Sequence, residues 1–208
     1  MALIHRATLV PSKLGLLADW LPGKPWWHGP SEPDLLRQVG AYRFDDPEGE
    51  VGIETLLVRS GDGPLVQVPL TYRAAPVESL ATALLGTMEH SVLGRRWAYD
   101  GCGDPVYVGE LLRTVLTGGA GAVEEVDHGD HREPRTPSVL VRGSGDAGTP
   151  VPQVDALGAS ADADPTTVEV AGYRLTVART VDGSLTGSRT LSGSWHGQDV
   201  PVTLAVVA

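Results

Sequence analysis

The sequence predicts an α+β protein: a curved antiparallel β-sheet of about seven to nine strands with about three helices. Three observations carry this. From residue 35 to residue 72, short apolar-polar runs alternate with turns rich in Gly, Asp and Pro. Two later stretches, 77–90 and 105–117, place apolar residues at helical spacing. The chain of 208 residues suits one globular domain, or one domain with an extension.

Residues 3–10 read as a first strand, with Leu3, Ala7 and Leu9 on one face and His5 among them. Pro11 ends it, and Ser12 can cap a short helix over 13–21 that carries Leu14, Leu17 and Leu21 on one stripe. Pro22 stops that helix. The stretch from Trp20, at the end of that helix, through the loop to Trp27 holds Trp20, Trp26 and Trp27, with Pro22, Gly23 and Pro25 shaping the backbone. Strands are expected over 38–44, 53–59 and 65–72 as an antiparallel meander, with turns at 45–49 and 60–64.

Pro76 leads into an expected helix over 77–90, because Ala81, Leu84, Leu85 and Met88 share one helical face. Residues 94–99 are short and extended. Asp104 followed by Pro105 is a strong helix start, and Gly118-Gly119 a matching stop. Further strands are expected over 122–126, 138–142, 167–180, 189–195 and 200–207, with hairpin turns at 181–183 and 196–199. The run 143–165 is rich in Gly, Ala, Asp, Ser and Pro, the composition of a flexible loop. Residues 121–208 read as a β-rich extension that continues the sheet of residues 1–120.

Composition bounds the function. Net charge is −10, which disfavours nucleic acid as a partner. Cys102 is the single cysteine, so an internal disulfide and a cysteine-based zinc site are excluded. No apolar run approaches the ~20 residues of a membrane helix, and no signal peptide is recognisable at residues 1–8, so a cytoplasmic location is expected.

No catalytic constellation emerges. His128-Gly129-Asp130-His131 resembles part of the H-G-D-x-H-x-x-N loop of aminoglycoside-phosphotransferase-like kinases, but His131 falls one place early and Pro134 stands three after it. A polar turn is the plainer reading. His128, Asp130 and His131 are weak metal-ligand candidates, and no metal or other cofactor is expected. The glycine-rich run 143–148 precedes no helix, so it is no phosphate cradle. No G-x-S-x-G elbow and no rigid carboxylate pair is present.

The tryptophans remain. Trp26 and Trp27 are adjacent, so in an extended segment their rings point to opposite sides. They are either anchors in the core or a platform for a sugar ring or a partner. Trp97 and Tyr99 form a second aromatic cluster. The candidate ligand- or partner-binding residues are Trp20, Lys24, Trp26, Trp27, Trp97 and Tyr99.

Three stretches carry a family resemblance: Trp20-Leu21-Pro22 through Trp26, residues 65–73 (LVQVPLTYR), and Tyr99-Asp100 with Asp104-Pro105 before a leucine-rich helix. They resemble the N-terminal cap domain of bacterial maltokinases and related sugar kinases over about residues 1–120. Pro25 stands where that family has arginine. The resemblance implies a cystatin-like sheet with helices, in a freestanding cap without the kinase's nucleotide-binding and catalytic residues. It implies a non-catalytic module of trehalose, maltose or α-glucan metabolism that binds a kinase, a glucan enzyme or a second copy of itself. The alternatives are a small-carbohydrate binder at Trp26 and Trp27, and an enzyme using residues 127–131.

Overall fold

The computed structural model describes residues 2–30, 33–129 and 131–208. In chain order the elements are β1 (Ala2–His5), β2 (Leu9–Val10), α1 (Lys13–Trp20), β3 (Leu36–Phe44), β4 (Gly52–Ser60), β5 (Val66–Arg73), β6 (Leu84–His90), β7 (Gly94–Asp100) and α2 (Pro105–Thr117). Then follow β8 (Glu124–Asp127), β9 (Arg132–Arg135), β10 (Val139–Gly143), β11 (Ser160–Ala161), β12 (Thr166–Val170), β13 (Tyr173–Val177), β14 (Arg189–Trp195) and β15 (Gln198–Val207). The α+β class holds. Among the described residues there are fifteen strands, two α-helices and four short 3₁₀ turns, so strands outnumber the seven to nine expected.

The first six-stranded sheet has the order β2-β6-β7-β5-β4-β3, antiparallel throughout. It contains the meander read from the sequence. The second six-stranded sheet has the order β10-β14-β15-β13-β12-β11. A small third sheet joins β1 in parallel to β8, with β9 antiparallel beyond.

Both faces of the first sheet are covered. On one face α1 and the tryptophan loop bring Leu17, Leu21 and Trp26 against Leu56, Val58, Val68 and Leu70. On the other face α2 lies between the sheet and the second sheet. Tyr42, Phe44, Ile53 and Leu57 there share one core with Leu111, Leu112 and Val115 of α2 and with Val168, Leu175 and Leu204 of the second sheet. Such burial on two sides explains why β4 and β5 are almost continuously buried.

The two large sheets are joined where the chain passes 65–67 and 179–181. Gln67 N–H donates to the Arg179 carbonyl at 2.7 Å, and Val181 N–H to the Leu65 carbonyl at 2.8 Å. The fully buried Gln67 side chain completes the join. Its amide donates to the carbonyls of Ala178 and Leu204 at 3.0 and 3.1 Å, and it accepts from the Tyr42 hydroxyl at 3.1 Å.

Helix ends follow the sequence closely. Ser12 accepts from Gly15 N–H at the start of α1. Asp104 accepts from Val106 N–H at the start of α2, and Gly118 closes α2 in the left-handed conformation, φ 66°.

Three expectations are corrected. The helix over 77–90 is a 3₁₀ turn, Glu78–Ala83, followed by strand β6. Gly86 and Thr87 are poor helix formers, and pairing with β7 and β2 overrides the apolar spacing. Gly86 also sits where a Cβ would lie 2.8 Å from Leu16 of α1, so the helix packs tightly onto the strand. The single strand over 3–10 is broken in two, because β1 pairs with β8 whereas β2 pairs with β6. The single strand over 167–180 is a hairpin. Val170 and Tyr173 face each other across Ala171 and Gly172, both with positive φ, as a two-residue turn requires.

Candidate functional site

The tryptophan loop is held by the second sheet. Trp26 is 2% exposed and donates its indole N–H to Asp162 at 2.7 Å. Lys24 reaches the same carboxylate at 3.0 Å and lies over the Trp20 ring, 4.2 Å from its centroid. Trp20 meets Trp26 edge to face at 5.8 Å. The guanidinium of Arg179 stacks on Trp26 at 4.8 Å. Arg179 is 1% exposed, and it donates to Asp100 at 2.6 Å and to Thr166 at 2.7 Å. Burial opposes its charge, but Asp100 and its other acidic neighbours outweigh that and raise its pKa.

This clasp ties residues of the first ~100 positions to residues beyond 160. Asp100, Asp162 and Arg179 were not legible as its members, since they lie far apart in sequence. A sugar ring stacking on Trp26 would have to displace Arg179 and Trp20. Trp27 is half-buried and packs beside Gly29, where a Cβ would fall 2.4 Å from the indole.

The other candidate residues lie elsewhere. Trp97 and Tyr99 are on β7. Tyr99 is buried and its hydroxyl accepts from Val77 N–H at 3.0 Å, whereas Trp97 is half-buried. Near them Asp104 accepts from Thr71 at 2.7 Å and from two nitrogens of Arg73 at 2.9 and 2.7 Å. The histidine turn shows His128 and His131 stacked at 4.6 Å, with His128 Nε2 3.3 Å from Glu133. Asp130 lies outside the described residues. Among the described residues no group of three or more His, Cys, Asp or Glu is arranged to hold a metal.

A second polar centre sits on the α1 side of the first sheet. Ala41, Leu56 and Val68 form an apolar row across β3, β4 and β5, and two residues further along the same face stand Arg43 and Glu54 as a cross-strand pair. Glu54 is 5% exposed. It accepts from Lys13 at 2.5 Å, Arg43 at 2.7 Å and the Tyr72 hydroxyl at 2.9 Å. Burial disfavours its charged form, yet Arg43 and Lys13, with the bonds from Lys13 and Tyr72, win and hold the carboxyl at about 2. Beside this network a cavity of about 490 Å³ opens between residues 2–13 and the sheet. A carboxylate set between Ile53 and Leu56 in a buried strand was a signal the sequence offered.

Cys102 is buried and free, and burial above all pushes its thiol up to about 12, so it is not a reactive nucleophile. Among the described residues no helix is long and apolar enough to cross a membrane.

Comparison with known proteins agrees with the motifs. No curated protein matches the chain. Residues 20–104, from the tryptophan loop through β7 to the cap of α2, match the family of the maltokinase N-terminal cap domain, and this part of the chain therefore resembles that domain.

Proposed function

We propose that this chain is a non-catalytic cap-type module of trehalose and maltose metabolism, and that it docks on a kinase module. The observation that carries the reading is the match of residues 20–104 to the maltokinase cap, a span that takes in five of the six strands of the first sheet. A cap implies a kinase to sit on. In this reading Trp20, Lys24 and Trp27, each half-buried, supply the contact surface, and Trp97, whose neighbour Ala98 packs under α1, lies on the opposite face of the sheet and outside it. Trp26 is buried and holds that surface in shape. Large half-buried aromatics beside a polar rim are the usual anchors of protein interfaces.

The test is to mix the full chain with the kinase module of a maltokinase stripped of its own cap, and to follow both by size exclusion with light scattering. A one-to-one complex is expected. Independent migration of the two at micromolar concentration would count against the proposal.

A further inference from the structure

We propose that the groove beside β10 binds an unbranched aliphatic carboxylate, with its head group on Arg142 and its chain over Leu140. The groove has a volume of about 600 Å³, within the roughly 300–1,000 Å³ of small-ligand sites. It lies between β10, the outward side of β14, and the segments 120–123 and 135–137. Val139 and Val141 of β10 point into the core, so Leu140 and Arg142 point outward, opposite Ser194 and Ser192 of β14. Small serines beside a leucine leave a trough in the sheet, and Val123, Pro137 and Pro201 add apolar walls. Val123 and Leu140 are 67% and 58% exposed, so apolar surface there stands open to water.

Charge selects the head group. The protein carries a net charge of −10, yet two arginines and, among the described residues, no carboxylate line this groove. Arg135 is already shared with Glu124 at 3.5 Å. The Arg142 side chain is exposed and has no hydrogen-bond or ion-pair partner among the described residues. Its planar fork matches a carboxylate, and the Ser192 hydroxyl across the strand adds a donor. An extended peptide fits less well. Ala120 bridges to Arg142, and Gly143 N–H donates to the Gly119 carbonyl at 2.8 Å, so this end of the β10 edge offers no ladder to an added strand. Strand β11, which leads to Asp162 of the tryptophan clasp, is the other edge of the second sheet. The groove is therefore separate from the clasp, and it does not depend on the docking proposal.

An NMR titration of the isotope-labelled full chain with decanoate tests it, with decyltrimethylammonium and 1-octanol as cationic and neutral probes. Saturable shifts are expected at the amides of Val123, Leu140 and Arg142, with weaker binding of the cation. Arg142→Ala should weaken decanoate binding about tenfold and leave octanol binding nearly unchanged. Leu140→Asp should weaken both about tenfold. Both side chains are exposed, so both variants should melt like the native chain. Absence of saturable shifts at concentrations that reveal millimolar affinity, or shifts centred elsewhere, overturns the proposal. So does equal binding of the ammonium probe, or decanoate binding that Arg142→Ala leaves intact. Binding of an acidic, leucine-rich extended peptide in the groove without binding of decanoate overturns it as well.

Discussion

Glu54 concentrates the electrostatics of the first sheet. Removing water from a carboxylate is costly, and here three donors within 2.9 Å offset the cost. Its folded pKa, about 2, lies below the ordinary 4.5, so its contribution is complete above about pH 4.5 and is lost as pH falls through about 2. The displacement corresponds to stability on the order of 3 kcal/mol. Melting curves of the native chain and of Glu54→Gln should therefore differ most at neutral pH and converge in acid. A gap that stays constant with pH would assign the stabilisation to packing instead.

At the scale of elements, the clasp around Trp26 shows how local and distant sequence combine. Proline and glycine shape the loop, but burial of Trp26 depends on Asp162 and Arg179 from beyond residue 160. Replacing Arg179 alone leaves Asp100 buried without its cation, a loss of about 3–5 kcal/mol. The double variant Arg179→Met with Asp100→Leu should recover most of that loss in chemical denaturation. Additive losses from the two single variants would show that they act independently.

The same scale explains what was legible. The caps of α1 and α2, the meander β3–β5 and the strands β10, β14 and β15 are written in local signals: cap residues, turn glycines and alternation. Strand β6 was hidden because Ala81, Leu84, Leu85 and Met88 fit a helical spacing, and only pairing with β2 and β7 decides for the strand. The turn at Ala171-Gly172 was missed because alanine seldom takes the positive φ found there, 47°. Of the sites, the aromatic residues were visible as residues, but their partners were not. Strand β9, all exposed, carries no hydrophobic signal at all.

At the scale of the whole molecule, the core under α2 is shared. Tyr42, Phe44, Ile53 and Leu57 from the first sheet pack in one cluster with Leu175, Leu191 and Leu204 from the second. Residues 1–120 expressed alone would keep α2 but leave the side of α2 that packs on the second sheet open to water. We predict that this fragment binds a hydrophobic dye such as ANS and melts without a sharp transition, while the full chain does neither. A cooperative, dye-free fragment would show that the cap-like part is self-sufficient.

Docking on a kinase module is the claim on which the functional account turns. Its most direct measurement is the dissociation constant between the full chain and a maltokinase kinase module lacking its cap, for the native sequence and for Trp20→Ala with Trp27→Ala. The account predicts saturable one-to-one binding that the double variant weakens by about 2 kcal/mol or more, roughly thirtyfold. Absence of binding by the native chain, or equal binding by a double variant that melts like the native protein, would contradict it.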